Sequence, residues 1–498
     1  MNSSLHQEQK IDDVDSKSSA IIFPLVVDLD GTLTPTDTLL EAIIQLIKRS
    51  PLTLLRLPLW LLKGRAVFKS EIASHTTISA KHLPYREDLL VYLRSEKNNG
   101  RKIILATAAH KSIAQTVSSH LGLFDDVLAT DASRNLKGQT KLNAIQQKVG
   151  RDFVYAGDSR ADIPIWNAAQ AAILVGVAPG LAASVRQRTV IEREFPKKGI
   201  GLSTWIKALR VHQWMKNLLL FVPLLTAFSF TDIGKLAIMM VAFLSFSFAA
   251  SATYMVNDLW DLESDRAHPR KKHRPFANAR IPILKGVAVA GCLLILALAM
   301  ALAISQMFFL MLSLYIVLTS AYSWLFKEYV LIDVIMLSLL YTLRILAGSV
   351  AIGIVTSSSL LAFAVFMFLS LALVKRCSEL VSLDQSGRQA TRGRDYQVAD
   401  LAVLWPLGLA SALSAVVVFG LFISAPETQT NYATPALLWL VAIGLIYWLG
   451  RLWIKTSRGE MHDDPVIYAI KDRGSCITII VMGITMLVAH FLILGRIL

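Results

Sequence analysis

The chain shows two different patterns of hydrophobic and polar positions. Up to about residue 200 the apolar runs are short and alternate with polar stretches, whereas long uncharged runs recur after that point. A helix needs about 20 apolar residues to cross the hydrocarbon core of a bilayer. Clean runs near that length occur at 236–256, 286–304, 307–326, 351–374, 401–425 and 474–495. The second part of the chain is therefore predicted to be an all-α polytopic membrane domain.

Three less regular stretches, 211–230, 331–350 and 435–450, bring the predicted number of spans to about nine. The loops after the second, fourth, sixth and eighth spans are rich in Lys and Arg, while Lys235 is the one basic residue of the alternate loops. Short loops with excess positive charge stay in the cytoplasm. We therefore expect an integral protein of the inner, or plasma, membrane. Its N-terminal part and long loops are cytoplasmic, and its C-terminus lies outside.

The first part of the chain has the pattern of an α/β domain. Short apolar runs at 21–27, 102–106, 152–156 and 171–177 predict buried parallel strands, with helices between them. The stretch of about 70 residues between the first two strands is long enough for a small helical cap. Its apolar run within 50–69 is too short and broken to span a bilayer, so it is interpreted either as a cap helix or as an amphipathic segment on the membrane surface.

Composition and charge support this division. The 498 residues are 54% hydrophobic and 17% charged, against about 25% charged in typical soluble domains, which excludes a single soluble domain and a disordered protein. The net charge of +14 favours a membrane surface or an anionic substrate over nucleic acid. We predict a disordered polar tail at 1–19, which lacks the apolar core of a signal peptide, an α/β domain at 20–192, a linker at 193–204 and the membrane domain at 205–498. The three cysteines show no metal-ligand or disulfide pattern.

Acidic residues follow the predicted strands of the first domain. The run 21–27 ends in DLDGT (28–32), and the run 152–156 is followed by GDSRAD (157–162). Carboxylates at a glycine turn after a buried strand form an active-site geometry in open α/β sheets. Thr107 follows the second strand, and either Lys141 or Lys137 lies before the third.

In this order, these segments resemble the motifs of the haloacid dehalogenase superfamily of phosphatases over about residues 20–190. The resemblance implies a Rossmann-like fold in which Asp28 is the nucleophile and Asp30 the general acid and base. It also implies that Thr107 and Lys141 hold the phosphoryl group. The Mg²⁺ ligands it implies are Asp28, Asp30, Asp158 and Asp162. A degenerate domain kept as a scaffold is the alternative.

The first long loop of the membrane domain combines an acidic face with a basic cluster. Asp258, Asp261 and Asp265 are spaced i, i+3 and i+7, which places them on one face of a helix. Mg²⁺ commonly bridges such carboxylates to substrate phosphates. A basic cluster that suits the remaining phosphate charge follows, consisting of Arg266, His268, Lys271 and Arg274. An ordinary charged loop is the alternative.

Together with Asn257, these aspartates reproduce the NDxxDxxxD signature and resemble the UbiA superfamily of intramembrane prenyltransferases, over about residues 205–498. The resemblance implies nine helices, diphosphate bound through Mg²⁺ by Asn257 and the three aspartates, and a polyprenyl chain. Where the aromatic prenyltransferases have a second acidic loop, this chain has a basic one. The binding residues predicted there are Lys375, Glu379, Arg388 and Arg392.

The basic loop resembles a branch of the superfamily that transfers 5-phosphoribose from 5-phosphoribosyl-1-diphosphate to polyprenyl phosphate. Lys216 and Asn217 at the start of the domain and the segment 463–475 also match that branch. Arg side chains suit phosphate oxygens, and this reaction handles more phosphates than aromatic prenylation does. Lys327 is a further candidate phosphate ligand.

Asp333 and Arg344 are charged residues inside one predicted span, eleven positions apart. Intramembrane charges usually face a cavity or each other, and these two share a helix face at about 16 Å, too far to pair. We expect them to line a substrate cavity, with a polar contact to another helix as the alternative.

The sequence thus predicts a bifunctional, Mg²⁺-dependent membrane enzyme. The membrane domain transfers 5-phosphoribose to a polyprenyl (decaprenyl) phosphate, and the phosphatase domain dephosphorylates the lipid product, in biosynthesis of a cell wall precursor. The alternatives are an aromatic prenyltransferase of quinone biosynthesis, using polyprenyl diphosphate and a 4-hydroxybenzoate-type acceptor, and a non-catalytic lipid-binding scaffold. No nucleic-acid partner is expected, and a homo-oligomer is left open.

Overall fold

The computed structural model describes residues 23–197, 199–387, 394–461 and 464–493. The predicted tail 1–19 and the predicted ligands Arg388 and Arg392 lie outside the described residues. The chain forms two compact units. The first comprises the residues up to Ile200 with Glu263–His273 and Ala277–Ile283, and the second comprises Gly201–Leu262, Arg274–Phe276 and the residues from Leu284 onward.

The first unit contains a six-stranded, entirely parallel sheet in the order β3-β2-β1-β4-β5-β6. Its strands are β1 Leu25–Val27, β2 Ile103–His110, β3 Asp126–Thr130, β4 Val154–Gly157, β5 Ala171–Val175 and β6 Ile191–Phe195. Successive side chains of a strand point to opposite faces, so Leu25 and Val27 enter one apolar cluster and Val26 enters the other. This confirms the predicted α/β class.

Between its first described residue and Ile200, this unit contains eight described α-helices. They are α1 Thr38–Arg49, α2 Leu57–Leu62, α3 Arg65–His75, α4 Glu87–Asn98, α5 Lys111–Leu121, α6 Gln139–Val149, α7 Ile163–Trp166 and α8 Pro179–Arg186. Short 3-10 turns lie at Pro51–Arg56, Ala80–His82 and Arg160–Asp162. The predicted helical cap corresponds to α1–α3, which pack around Ala42, Leu46, Trp60 and Ile72.

The first unit ends later in the sequence than predicted, and the second unit begins earlier than predicted. Residue 192 falls inside β6, whose Phe195 pairs with Val175 of β5, so the sheet continues into the predicted linker. The second unit already begins at Gly201. The strand β6 has the polar sequence IEREF, with apolar residues only at its two ends. Such a short pattern does not predict a strand.

The second unit is helical. Its helices are α9 Leu202–Ala208, α10 Val222–Thr226, α11 Ile233–Trp260, α12 Leu262–Ala267, α13 Ile283–Ile304, α14 Gln306–Trp324, α15 Ile332–Ile352, α16 Ser358–Gln385, α17 Leu401–Ser424, α18 Pro426–Asn431, α19 Leu438–Ser457, α20 Pro465–Lys471 and α21 Arg473–Phe491, with α12 continuing into the first unit. Its 3-10 segments are Val211–Phe221, Phe326–Glu328, Val398–Asp400 and Pro435–Leu437, whereas the 3-10 turn Lys271–His273 belongs to the first unit.

Eight helices among the described residues are long and apolar enough to cross a membrane. They are the helices at 233–260, 283–304, 306–324, 332–352, 358–385, 398–424, 435–457 and 473–491. The first predicted span, 211–230, is not one long helix: it consists of the 3-10 segment Val211–Phe221 and the short α10. Pro223 in α10 lacks a backbone N–H, and Phe228 after it has a positive φ of 48°.

Two local predictions also differ from the structure. The helix carrying the acidic motif is interrupted at Asp261, which lies between α11 and α12, so the three aspartates do not share one continuous helix face. The loop predicted from residue 375 is still part of α16, which ends at Gln385. Lys375 and Glu379 therefore lie on a helix rather than in a loop.

Candidate functional site

The carboxyl edge of the parallel sheet gathers the predicted phosphatase residues. Asp28 follows β1, Thr107 lies in β2, and Asp158 follows β4. Among the described residues, one group of three carboxylates offers oxygens that all lie within 4.8 Å of one another: Asp28, Asp158 and Asp162. The proximity follows from topology, because the carboxyl ends of adjacent parallel strands meet at one edge.

Lys141, not Lys137, completes this group. The Lys141 side chain is buried, and its Nζ lies 2.9 Å from Asp28 Oδ2 and 3.8 Å from Asp162 Oδ1, whereas Lys137 is exposed. Lys141 lies in the first turns of α6, after the left-handed Gly138. The ammonium group can therefore hold a phosphoryl oxygen beside the Asp28 carboxylate.

Tyr155 is a member of the site that the motif did not reveal. Its hydroxyl accepts from Lys141 Nζ at 3.0 Å and donates to Asp162 Oδ1 at 2.8 Å. The other oxygen of Asp162 accepts from the backbone N–H groups of Asp158 and Ser159. Asp162 thus holds the loop that carries Asp158. The alternation of side chains along β4 could have predicted which face of the sheet Tyr155 occupies. It could not have predicted that Lys141 and Asp162 are its hydrogen-bond partners.

Burial shifts the acidity of the carboxylates at this edge. Burial, and then the charge of Asp37, raises the pKa of Asp30 to about 7, although the Thr38 backbone N–H donates to Asp30 Oδ1 at 2.9 Å. Burial, and then Asp28 and Asp162, raises the pKa of Asp158 to about 7. The pKa of Asp28 is raised by burial as well, with Lys141 opposing it.

The three grouped carboxylates fit a magnesium ion. They offer oxygen ligands within one small region, and their mutual repulsion is relieved by a divalent cation. The backbone makes room for the group at Gly31, where φ is +78° and an added Cβ would lie 2.2 Å from Asp158 Oδ2. Asp30, predicted as a further ligand, is not part of the group and bonds the start of α1.

The cap contributes Lys69, which no motif indicated. From α3, its Nζ donates to the Ala108 carbonyl at 2.6 Å and to Asn135 Oδ1 at 2.9 Å. Burial lowers the pKa of Lys69, and the charge of Asp30 opposes this shift. Lys69 also lines a small cleft with Leu39, Ile72, His110 and Ile113. The cap thus places a cation beside the phosphatase site.

In the second unit, cations from separate elements converge around one carboxylate. Lys216 Nζ lies 2.8 Å and Lys375 Nζ 3.2 Å from Asp464 Oδ2. Lys216 also lies over the ring of Tyr341, and Arg344 lies over the same ring at 5.5 Å. We call Lys216, Arg344, Lys375 and Asp464 the cationic cluster. Its three positive charges exceed its single negative charge, which suits an anionic ligand.

Asn217 positions Arg344 in this cluster. Arg344 Nε donates to Asn217 Oδ1 at 3.1 Å, and its terminal nitrogens donate to the Leu340 carbonyl and to the Tyr315 hydroxyl. Asn217 is buried and also donates to Ser247. The predicted residues Lys216, Asn217, Arg344 and Lys375 are thus brought together. Asp464 was not predicted individually, although it lies in the matched segment 463–475.

The acidic motif of the second unit is not arranged as a cation site. Asp258 Oδ1 accepts from Arg274 at 3.1 Å and from Arg210, and Asn257 donates to Ser323 Oγ. Neither Asp258 nor Asp261 nor Asp265 belongs to the carboxylate group found among the described residues. At Asp258 this arrangement does not fit the predicted Mg²⁺ site, because two guanidinium groups bond its Oδ1, and we derive no step through a metal ion there.

The remaining residues of that loop cluster with the first unit. Arg266, predicted to bind phosphate, donates from both terminal nitrogens to Glu41 at 2.7 Å. Its guanidinium is therefore already neutralised by a carboxylate. His268 and Lys271 are exposed, and the His268 ring accepts from the Lys271 backbone N–H at 3.4 Å.

Asp333 makes a polar contact with another helix, which was the alternative to a cavity residue. It is fully buried, and its oxygens accept from Arg376 Nε and from the Tyr396 hydroxyl, both at 2.5 Å. Glu379 bonds Arg376 and Arg394. These contacts tie α15 to α16. Lys327 lies partly buried in the 3-10 turn before α15.

Comparisons with known proteins agree with this division. The model of the UbiA prenyltransferase family matches residues 218–468, and that of the haloacid dehalogenase-like hydrolases matches residues 25–166. The uncharacterized protein y4nM of Sinorhizobium fredii is 39% identical over 94% of this chain and 91% of its own length.

Two shorter relatives match parts of the chain. The nodulation protein NoeC of Azorhizobium caulinodans is 35% identical over 58% of this chain and 94% of its own length. The decaprenyl-phosphate phosphoribosyltransferase of Mycolicibacterium smegmatis is 32% identical over 48% of this chain and 76% of its own length. The chain thus belongs to the UbiA prenyltransferase family and carries, before that domain, a haloacid dehalogenase-like hydrolase domain.

Proposed function

We propose that the membrane domain transfers 5-phosphoribose from 5-phosphoribosyl-1-diphosphate to a polyprenyl phosphate, and that the hydrolase domain removes the 5-phosphate from the lipid product. The observation that carries this proposal is the cationic cluster, in which Lys216 and Lys375 bond the single carboxylate of Asp464 and Arg344 lies with Lys216 over the ring of Tyr341. The relative in Mycolicibacterium smegmatis, named decaprenyl-phosphate phosphoribosyltransferase, supports the same substrate class.

In the transfer step, an oxygen of the lipid phosphate attacks C1 of the ribose. The bond between C1 and the diphosphate oxygen breaks, and its electron pair leaves with the diphosphate. A phosphate oxygen is already a nucleophile, so no strong general base is required. The cluster cations neutralise phosphate charge, and Asn217 fixes the orientation of the Arg344 guanidinium.

In the phosphatase step, Asp28 attacks the phosphorus of the 5-phosphate, and the ester oxygen leaves with a proton from Asp30. Water then attacks the aspartyl phosphate, Asp30 accepts its proton, and phosphate is released. A pKa of about 7 lets Asp30 donate a proton in the first step and accept one in the second. Lys141 holds Asp28 and a phosphoryl oxygen. A magnesium ion held by Asp28, Asp158 and Asp162 would supply charge neutralisation at the phosphoryl group.

The test follows ribose-labelled 5-phosphoribosyl-1-diphosphate through the full-length protein in lipid nanodiscs containing decaprenyl phosphate. The wild type is expected to yield the dephosphorylated ribosyl lipid. The Asp28→Asn variant is expected to transfer at an unchanged rate and to accumulate the 5-phosphorylated lipid. Asp152→Asn, which alters an exposed carboxylate of the same unit, serves as the matched control and should behave like the wild type.

Two outcomes would overturn the proposal. If Asp28→Asn loses the phosphorylated lipid at the wild-type rate, the hydrolase domain does not act on that product. If the protein consumes polyprenyl diphosphate with 4-hydroxybenzoate, and not 5-phosphoribosyl-1-diphosphate with polyprenyl phosphate, the membrane domain is an aromatic prenyltransferase.

A further inference from the structure

The cap of the hydrolase domain presents a row of leucines to solvent. Leu52, Leu55, Leu59 and Leu62 are 81%, 76%, 59% and 85% exposed. Their spacing of three, four and three residues places them on one side of a helical segment. We call these four residues the leucine face. Soluble proteins rarely expose a continuous apolar patch of this kind unless something binds it.

The same segment is firmly attached to the domain by its other side. Trp60 is buried against Ala42, Leu46 and Ile72 of the neighbouring cap helices. The leucine face is therefore not the side of the segment that packs on the domain, since Trp60 already fills that side. The segment has two apolar sides: the side with Trp60 packs on the cap helices, and the side with the leucine face is exposed to solvent.

The charge around the leucine face indicates its partner. Arg49 precedes it, Arg56 lies within it, and Lys63 and Arg65 follow it, all four exposed. No Asp or Glu occurs between Glu41 and Glu71. Leucines flanked by basic residues fit the boundary between acyl chains and anionic headgroups, where an interfacial helix lies. At twelve residues, Pro51–Leu62 is too short to span a bilayer.

The chain itself holds this domain near a bilayer, because the described part of the same polypeptide continues into eight apolar helices long enough to cross one. Tethering raises the effective concentration of the surface, so a modest affinity suffices for docking. We propose that the leucine face inserts into the interface of an anionic phospholipid bilayer, and that the cap thereby docks the hydrolase domain on the membrane. The inference is independent of the substrate proposed above.

The experiment uses the full-length protein in nanodiscs, with Cys292, Cys377 and Cys476 replaced by alanine. An environment-sensitive fluorophore is attached to Leu55→Cys or Leu62→Cys, and nanodiscs contain phosphatidylcholine with phosphatidylglycerol and an acyl-chain quencher lipid. Val190→Cys is the matched control, since it is an exposed apolar residue of the same unit outside the cap, 71% exposed. We expect blue-shifted emission and loss of most fluorescence to the quencher at both cap positions, and neither change at Val190.

A second arm tests the charges. In the labelled Leu62→Cys protein, replacing Arg49, Arg56 and Lys63 by Gln should reduce quenching, and so should nanodiscs of phosphatidylcholine alone. The proposal is overturned if both cap labels behave like the control. It is equally overturned if their emission is shifted without quenching by the lipid probe, which would mean that the leucine face contacts protein, such as a second copy of the chain.

Discussion

At the residue scale, Gly31 allows the acidic loop after β4 to approach the turn after β1. The glycine has a left-handed φ of +78°, and an added Cβ would lie 2.2 Å from Asp158 Oδ2. No L residue avoids that overlap without moving the carboxylate. The close approach of the two turns, and with it the group of three carboxylates, depends on the missing side chain.

Gly31→Ala is therefore expected to abolish most phosphatase activity, by about 100-fold or more if the Asp158 carboxylate is displaced by an ångström. Gly122→Ala is the matched control, because it has a similar φ of +63° with nothing within 4 Å of the added Cβ. Both variants should lose about 1 kcal/mol of stability through backbone strain. Hydrolysis of p-nitrophenyl phosphate and thermal unfolding separate the two effects, and equal activity losses would contradict this interpretation.

The residue scale also applies to the cationic cluster. Burial alone would raise the pKa of Asp464, but Lys216 and Lys375 lower it to about 2. The carboxylate is thus held ionised by two lysines. Removing Lys375 leaves Asp464 paired with Lys216, so no buried charge is left without a partner.

Lys375→Met is expected to raise the KM for polyprenyl phosphate by about 10-fold to 100-fold, because one charge-assisted contact to phosphate contributes roughly 1.5–3 kcal/mol. Lys235→Met, at a partly buried lysine outside the cluster, should leave the KM unchanged. Initial rates at varied lipid concentration measure this. An unchanged KM for Lys375→Met would exclude a contact with the lipid phosphate.

At the element scale, the packing of the 3-10 segment Val211–Phe221 against α15 positions the cluster. A Cβ added to Gly348 of α15 would lie 2.1 Å from the Leu220 carbonyl oxygen. Asn217, which orients Arg344, lies one turn earlier in the same segment. The backbone contact at Gly348 therefore sets the distance between two elements that each contribute to the site.

Gly348→Ala is expected to cost about 1–3 kcal/mol through overpacking and to lower phosphoribosyl transfer by displacing Asn217. Gly483→Ala in α21, where nothing lies within 4 Å of the added Cβ, should leave the transfer rate unchanged. Thermal unfolding in detergent and the transfer assay provide the two readouts. If the Gly348→Ala protein had the wild-type melting temperature and transfer rate, the segment Val211–Phe221 would be able to shift without loss of stability or activity.

At the scale of the whole molecule, the basic loops predict the orientation of the chain in the membrane. The segment after α15 contains Val355, which is 94% exposed and should lie outside the cell. The segment after α19 contains the exposed Arg458 and should be cytoplasmic, since loops rich in Lys and Arg are retained there.

In intact cells, a membrane-impermeant thiol reagent is expected to label Val355→Cys and not Arg458→Cys, in a background without the three native cysteines. After permeabilisation, both positions should be labelled, which controls for accessibility of the thiols. The reverse pattern would contradict the predicted orientation.

The sequence by itself determined the two-domain organisation, the apolar helices and the acidic residues at the strand ends. Local patterns suffice there, because apolar run length decides which segments can cross a bilayer, and parallel strands bring their carboxyl ends together whatever the loops contain.

Only the tertiary structure decided which charged side chains pair with one another. Lys216 meets Asp464 across 248 positions, Lys69 reaches the sheet from the cap, and Asp258 pairs with Arg210 and Arg274. A charged side chain is neutralised by whichever group the fold brings near it. That proximity arises from the packing of distant elements, which neither spacing nor periodicity along the chain contains.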